Sequence, residues 1–324
     1  MSDEATPGGA TRLHGKLNLL RPRRLIGRDS ELREVGESIA LSPVTTLTGP
    51  GGVGKTALAL AVAAACSGDF PDYRASCARG RSRCMSETDE LIGTLLPDWK
   101  PRAFPSRVSM VGTHCSLEIL NVDRHGQALY EADSLDHTGA SWSYLPYGPF
   151  ESRAQHAEWL EAMASTEDPQ FFAVIDAGGR PVGVLSFQRI QPVHGVLEIG
   201  HVHFSPRLQR TAAATEAIAL MLTRAFDELG YRRCEWKCNE LNAASKRAAV
   251  RFGFRHEGLF RQAAVIKGRS RDTAWYSMLD SEWPLARRAF GEWLAPYNFD
   301  GEGQQRETLA AIRARMARGL DFDA

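Results

Sequence analysis

Apolar and polar positions follow a regular order in the second half of the chain. A β-hairpin is predicted for FFAVIDAGGRPVGVLSFQRI, because two apolar, β-branched runs flank Ala-Gly-Gly. A third long strand is predicted for GVLEIGHVHF, and a helix for AATEAIALMLTRAFDELG directly after it. The pattern then predicts a strand (YRRCEWKCN), a helix ending at Gly253 (AASKRAAVRF) and a closing pair of strands (EGLFRQAAVIKGRSRDTAWYSML).

Regular patterns begin earlier, at CSLEILN, after the Pro-rich link LPDWKPRAFPS. Helical spacing is found in HGQALYEAD, and an aromatic turn is predicted for WSYLPYGPF. A second helix is predicted for SRAQHAEWLEAMAS, with Ala157, Leu160 and Met163 near one face. We therefore predict two parts, residues 1–94 and residues 95–324. The second part is an α/β domain whose mixed, mostly antiparallel sheet is flanked by helices, with further helices at the C-terminus.

A phosphate-binding loop is predicted for GPGGVGKT, between the strand-like VTTLT and the helix-forming ALALAVA. Glycines allow backbone N–H groups to wrap a phosphate at a helix N-terminus. Lys55 would reach the β- and γ-phosphates of a nucleotide, and Thr56 would hold Mg²⁺. The candidate nucleotide-binding residues are Gly49, Gly51, Gly52, Gly54, Lys55 and Thr56.

Residues 21–68 resemble the opening of the STAND-type ATPase modules of bacterial transcriptional regulators, through LIGRDSEL and the phosphate loop. The acidic strand, sensor and winged-helix portions of that family do not follow. The segment is therefore interpreted as a truncated P-loop strand–loop–helix whose nucleotide site is vestigial. ATP with Mg²⁺ is expected to bind there only weakly, if at all.

Lys+Arg and Asp+Glu both number 39, so the formal net charge is zero. This balance gives no reason to expect nucleic-acid binding or adhesion to an acidic membrane. The first residues lack the apolar core of a secretory signal, so a cytoplasmic protein is expected. Cys234 and Cys238 are expected to be buried thiols, and no metal site is predicted.

The order of elements, together with three motifs, resembles the GNAT acetyltransferase superfamily, particularly its RimJ/RimL-like branch, over residues 108–285. The motifs are SPRLQRTAAATEA, NAASKRAAVRFGF and RDTAWYSMLDSEW. The resemblance implies a GNAT fold and direct transfer of an acetyl group from acetyl-CoA to an amine, either a protein N-terminus or a small molecule. Whether the protein forms a homodimer is left open.

The resemblance places the acyl-CoA pyrophosphate loop after the third strand, where backbone donors at a helix N-terminus would hold the phosphates. The signature positions are Gln209, Ala212 and Ala214, so alanine replaces the middle glycine of the family pattern. The implied cofactor-binding residues are Gln209, Arg210, Thr211, Ala212, Ala213, Ala214, Thr215 and Asn242.

Acetyl transfer requires a base for the amine and a proton for the departing thiolate. Strand alternation in EIGHVHF puts Glu198, Gly200, Val202 and Phe204 on one face and Ile199, His201 and His203 on the other. Glu198 is the first candidate base, directly or through water, and His201 or His203 is the alternative. Each of the three could instead be structural.

Many GNAT members place a tyrosine seven residues after the helix-initiating asparagine, but Ala249 stands there. The RimJ/RimL-like branch has a serine three residues after the asparagine, and Ser245 fits. Its hydroxyl would stabilise or protonate the thiolate, while Asn242 would bind the pantetheine arm or serve only as an N-cap.

Two alternatives accompany the N-acetyltransferase interpretation. One is a nucleotide-binding regulatory protein whose GNAT fold only binds acyl-CoA. The other is a catalytically inactive acyl-CoA binder, motivated by Ala212 and Ala249. The aromatic residues Trp142, Tyr144 and Tyr147 either line the acceptor cleft or pin a turn, and Lys267, Arg269 and Arg271 either meet an anion or form a solvated hairpin tip.

The phosphate loop yields a first prediction. Residues 1 to about 94 are dispensable for acyl transfer, Lys55→Ala leaves acyl transfer unchanged, and ATP hydrolysis by the full chain does not exceed background. A loop and one helix bury too little apolar surface to form a domain, and Mg²⁺·ATP lacks its second carboxylate. Acyl transfer and phosphate release are measured for the full chain, for Lys55→Ala and for a truncation that starts at Leu96. ATP turnover that disappears in Lys55→Ala would contradict the prediction.

Overall fold

The computed structural model describes residues 93–320, within which eight strands form one sheet. The phosphate loop and the rest of residues 1–92 lie outside the described residues, so the predictions made for them stay predictions. The strands are β1 (Met110–Val111), β2 (Cys115–Ile119), β3 (Gln170–Asp176), β4 (Pro181–Gln191), β5 (Val196–Phe204), β6 (Arg233–Asn239), β7 (Arg255–Ile266) and β8 (Arg269–Leu279).

Helices connect the strands and close the described part of the chain. They are α1 (Val122–Asp133), α2 (Arg153–Ala164), α3 (Ala212–Thr223), α4 (Ala243–Phe252), α5 (Trp283–Leu294) and α6 (Leu309–Leu320). Short 3-10 turns lie at Ala140–Trp142 and Pro296–Asn298, and a π-helical turn at Arg224–Glu228 extends α3. None of the helices in residues 93–320 is long and apolar enough to cross a membrane.

The strand order is β1-β2-β3-β4-β5-β6-β8-β7. Every neighbouring pair is antiparallel except β5 and β6, which are parallel. The parallel pair follows from the connection, because α3 carries the chain back across the sheet between the two strands. The predicted fold class, a mixed and mostly antiparallel sheet flanked by helices, is confirmed.

Helices pack on both faces of the sheet, and β3 shows how its sequence serves both. Phe172 and Val174 belong to the larger core cluster, which also contains buried residues of α3, α4, α5 and α6. The alternate residues Phe171, Ala173 and Ile175 belong to a smaller cluster under α1 and α2. A strand covered on both faces has no need of polar residues, which explains the unbroken apolar run FFAVI.

The parallel pairing of β5 and β6 covers only three residue pairs, of which the last is Glu198 with Glu235. Beyond that point no pairing of these two strands is present in the described residues, although β5 continues to Phe204 and β6 to Asn239. The two strands therefore diverge toward their carboxyl ends. This divergence opens the sheet at its centre.

The element predictions are confirmed for the hairpin of β3 and β4, for the helices α1 to α4 and for the closing pair β7 and β8. Gly253 is the C-cap of α4 with φ of +106°, as predicted. On α2 the buried face is wider than expected, because His156 and Trp159 are buried beside Leu160, whereas Ala157 and Met163 are half-buried. The two-residue strand β1 gave too short a pattern to be predicted.

A buried carboxylate joins α3 to the turn between β1 and β2. Glu216 of α3 accepts hydrogen bonds from the backbone N–H groups of Thr113, His114 and Cys115, at 2.8, 2.6 and 2.7 Å. A Cβ at Gly112 would lie 2.4 Å from this carboxylate, so only glycine fits there. The contact fixes the helix that follows β5 against the edge of the sheet.

Glu216→Ala is therefore expected to lower the free energy of unfolding by about 3 kcal/mol, because three buried N–H groups lose a charged acceptor. Urea denaturation measures the change as a shift in midpoint at constant slope. Glu158→Ala, on an exposed position of α2, is the matched control and should change little. Equal midpoints for the two variants would show that the buried carboxylate contributes no stability.

Candidate active site

A cavity of about 390 Å³ occupies the gap between the diverging strands. One wall is β5 from Glu198 to Val202, and the other is β6 from Trp236 to Asn239. Gln188 and Arg189 of β4, Asn242 and Ser245 at the start of α4, the hairpin of β7 and β8, and the turn after α1 also line the cavity. The hairpin contributes Phe260, Ala263, Ala264, Ile266, Arg271, Thr273 and Trp275, and the turn contributes Ser141, Tyr144, Leu145 and Pro146.

Glu198 lies on the β5 wall where the pairing ends, and it is 2% exposed. Gln188 of β4 donates a hydrogen bond to Oε1 at 2.7 Å. The other oxygen, Oε2, lies 3.0 Å from Lys237 Nζ and 3.4 Å from Arg189 Nε. Burial raises the pKa of Glu198, and this effect outweighs the opposing attraction of Lys237 and Arg189. A carboxylate with a raised pKa that faces a cavity is suited to accept a proton.

Lys237 is a site residue that was not predicted from the sequence. Its ammonium group lies 2.6 Å from Glu235 Oε2 and 3.7 Å from the centre of the Trp275 ring, besides its contact with Glu198. The lysine thus connects two carboxylates and an aromatic face at the point where the strands separate. The sequence CEWKC did contain an indication of this role. A lysine in a strand with two buried cysteines is itself expected to be buried, and a buried lysine needs a charged partner.

His201 also faces the cavity, at a bulge in β5. The register of β4 against β5 shifts between Val184 and Ser186, and His201 has φ of +50°. Its Nδ1 is hydrogen-bonded to the Tyr147 hydroxyl at 2.8 Å. Burial lowers the pKa of His201 to about 4, assisted by the nearby charge of Arg189, so the ring is neutral at pH 7.

The bulge overturns the simple alternation expected along β5. Val202 and Phe204 pack against the core cluster that contains Leu197 and Ile199, instead of sharing the face of Glu198. One extra residue in the strand reverses the faces of all residues that follow it. His201 consequently lines the cavity together with Glu198, while His203 does not.

Ser245 stands on the opposite side of the cavity, in the first turn of α4. Its backbone N–H donates to the Asn242 side chain at 3.0 Å, so Asn242 is the N-cap of this helix. The Trp236 indole N–H donates to Ser245 Oγ at 2.9 Å. Because the oxygen is the acceptor in that bond, the hydroxyl hydrogen can be donated either to a group in the cavity or to the neighbouring Cys238 thiol, with which Ser245 also interacts.

Comparisons with known proteins agree with this geometry. A family profile described as "Acetyltransferase (GNAT) domain" matches residues 125–255. A crystal structure of a GCN5-related N-acetyltransferase from Brucella melitensis is 47% identical, and its match covers 68% of this chain and all of that one, with a TM-score of 0.67. This chain belongs to the GNAT family.

Other relatives point the same way. A crystal structure from Chromobacterium violaceum, described as a "probable acetyltransferases (GNAT family)", is 42% identical, over 63% of this chain and all of that one, with a TM-score of 0.56. The Bacillus subtilis "Uncharacterized N-acetyltransferase YnaD" is 27% identical over 157 residues, which are 48% of this chain and 89% of the relative. The protein is therefore a GNAT-type acyltransferase.

The predicted GNAT pyrophosphate loop forms the turn between β5 and α3. Arg210 has φ of +63°, and Thr211 is the N-cap of α3, accepting a hydrogen bond from the Ala214 N–H. The Gln209 side chain turns back and donates to the Phe204 carbonyl at 2.7 Å. Alanine at position 212 is compatible with this turn because the left-handed residue is Arg210, two positions earlier.

His203 lies behind the cavity wall, among the buried residues next to α1 and α2. Its ring stacks on Trp142 with 3.5 Å between centroids, and Nε2 is hydrogen-bonded to Ser141 at 2.9 Å. Of the three predicted base candidates on β5, Glu198 and His201 line the cavity. His203 is therefore not placed to take a proton directly from a bound amine.

The residues of the aromatic turn and of the hairpin tip divide between the alternatives left open for them. Tyr144 lines the cavity, whereas Trp142 and Tyr147 pack in and against the smaller core cluster. Lys267 donates hydrogen bonds to the carbonyls of Trp142 and Gly148 and so ties the tip of the β7–β8 hairpin to the aromatic turn. Arg271 faces the cavity.

Cys234 and Cys238 are buried free thiols, as predicted. Burial raises the pKa of both, and the raised value keeps them protonated near neutral pH. Within residues 93–320 no group of three or more metal-ligating side chains is found.

Proposed function

We propose that this protein is an N-acetyltransferase that transfers an acetyl group from acetyl-CoA to a primary amine, either a protein N-terminus or a small molecule. The observation that carries the proposal is the position of Glu198 and Ser245 on opposite walls of one cavity. A base on one side and a hydroxyl donor on the other suit the two proton movements that amine acetylation requires.

The donor would enter where β5 and β6 have separated. Ligands of α/β sheets bind beyond the carboxyl ends of parallel strands, and both of these ends lead into helix N-termini, of α3 and of α4. N–H groups in the first turn of α3 would bind the pyrophosphate of acetyl-CoA. Asn242 would serve the pantetheine arm in addition to its role as N-cap.

Glu198 would accept the proton of the attacking amine, directly or through a water molecule. Its raised pKa brings its proton affinity closer to that of the group it must deprotonate. The neutral amine then attacks the thioester carbonyl, and the C–S bond breaks. Ser245 would donate its hydroxyl hydrogen to the departing thiolate, while the Trp236 indole holds the oxygen in place.

The proposal is tested by incubating the protein with acetyl-CoA and a panel of peptides and small amines. Thiol release and the mass of the acetylated amine are measured together. CoA should also raise the melting temperature, because it binds the native state alone. Thermal stabilisation without acetylation of any amine would favour the inactive acyl-CoA binder, and absence of both would overturn the proposal.

The rate should fall at low pH as Glu198 becomes protonated. Since burial raises the pKa of Glu198, the acid limb of kcat/KM should lie above the ordinary pKa of a glutamate. Glu198→Gln should remove this limb and lower kcat by about a hundredfold or more. If the acid limb instead reflects protonation of the amine, its position follows the pKa of that amine. Two amines of different basicity therefore distinguish protonation of Glu198 from protonation of the acceptor. A limb that persists in Glu198→Gln would contradict the assignment.

Ser245→Ala should lower kcat by about tenfold to a hundredfold, with a smaller change in the KM for acetyl-CoA, because the hydroxyl acts mainly at the transition state. Trp236→Phe keeps an aromatic ring but removes the donor to Ser245, and its effect should be smaller. Steady-state kinetics at saturating amine measure both. If Ser245→Ala kept the wild-type kcat, the serine would have no catalytic role and would be only a residue in the first turn of α4.

A further inference from the structure

A second group of polar residues lies beside the cavity and is not used by the proposed transfer. Ser141 Oγ is 2.9 Å from His203 Nε2. On the other side of the imidazole, His203 Nδ1 lies 3.4 Å from Asp133 Oδ1. The three side chains come from the turn after α1, from β5 and from the last residue of α1. Their order is hydroxyl, imidazole and carboxylate.

Electrostatics decide which ring nitrogen carries the proton. With the hydrogen on Nε2, the lone pair of Nδ1 would face the Asp133 carboxylate, and the two would repel each other. With the hydrogen on Nδ1 this repulsion is relieved, and the Nε2 lone pair faces Ser141. The 3.4 Å contact between Nδ1 and Oδ1 is electrostatic, since neither atom has a hydrogen-bond partner among the described residues. The serine hydroxyl is then the donor in the 2.9 Å hydrogen bond. Burial lowers the pKa of His203, which keeps this imidazole neutral and able to accept a proton.

The surroundings hold this arrangement in place. His156 Nε2 lies 3.2 Å from the second oxygen of Asp133, which fixes the carboxylate between two imidazoles. Trp142 stacks on the His203 ring, and the Ser141 backbone N–H donates to Asp136 at 2.8 Å. Asp133, His156 and His203 are all buried, so the network is shielded from bulk water.

Ser141, in contrast, lines the cavity. His201 and Val202, at the bulge where β5 interrupts its ladder with β4, line the same cavity. Main-chain groups that a bulge leaves outside the ladder are suitable donors to a carbonyl oxygen. A nucleophile, a base with an orienting carboxylate and an acyl-binding cavity therefore meet at one place.

We propose that Ser141 is a nucleophile activated by His203 and Asp133, and that it takes the acyl group of a thioester or an activated ester. The Ser141 Oγ–C bond forms as the C–S bond breaks, His203 receives the hydroxyl proton, and the imidazolium returns it to the leaving thiolate. Water then attacks the acyl-serine, with His203 as the base, and releases acetate and free Ser141. The net reaction is acetyl-CoA plus water to acetate plus CoA.

This acyl-CoA hydrolysis uses the donor of the proposed function, and in that respect rests on it. The activated serine itself does not require CoA. A fluorophosphonate probe reacts with such a serine by forming an O–P bond and expelling fluoride. It therefore tests Ser141 even if the protein acetylates no amine.

The full chain is treated with the fluorophosphonate probe, and the labelled residue is located by peptide mass spectrometry. Wild type should be labelled at Ser141, and Ser141→Ala should lose the label. Ser143→Ala is the matched control, since this exposed serine lies two residues away in the same turn, and it should be labelled like wild type. His203→Gln should slow labelling by about a hundredfold or more. Unlabelled wild type, or a label that persists in Ser141→Ala, would overturn the proposal.

Hydrolysis of acetyl-CoA in the absence of amine provides the second measurement. Wild type and Ser143→Ala should release CoA at the same rate, whereas Ser141→Ala should release it at the rate of buffer alone. Thermal stabilisation by CoA is measured for each variant, so a loss of donor binding is distinguished from a loss of the nucleophile. Equal hydrolysis by Ser141→Ala and wild type would overturn the proposed reaction.

Discussion

The parallel pairing of β5 and β6 ends after three residue pairs, and the site depends on this early end. Had the ladder continued, backbone hydrogen bonds would fill the space that the cavity now occupies. Because the strands separate, side chains from both of them, including Glu198 and Lys237, line one cavity. The separation also places the first turns of α3 and α4 on either side of the gap.

The charges in the gap illustrate a balance between burial and pairing. Two carboxylates, Glu198 and Glu235, share Lys237, and Arg189 approaches Glu198 from β4. Burying charges is costly even when they are paired, so such a cluster is weak evidence for stability. It is better explained by function, because the pKa of Glu198 remains raised despite the nearby cations. A stronger ion pair would lower that pKa and make the carboxylate a poorer base.

Much of the fold could be predicted from the sequence, because local patterns determine it. The strand pattern of FFAVI and the left-handed position of Gly253 needed no tertiary information. For the site, Glu198 came from the base that acetyl transfer requires and Ser245 from a family motif, and both line the cavity. The faces of β5 were wrong because a bulge depends on pairing with β4, which the sequence of one strand does not reveal. Lys237 and Ser141 were missed for a related reason, since their partners lie on other elements.

The bulge at His201 also explains how one strand serves two chemical environments. Before it, Glu198 points into the gap; after it, His203 points into the buried network next to α1 and α2. A regular strand of this length would keep Glu198 and Phe204 on one face and give the cavity wall a different set of residues. The extra residue therefore places two bases a few residues apart on β5. The Glu198 carboxylate is open to an amine in the cavity, whereas the His203 imidazole is shielded behind Ser141. Selection between aminolysis and hydrolysis would then depend on which nucleophile reaches the acyl carbon first, and an amine that fills the cavity excludes the water that hydrolysis needs.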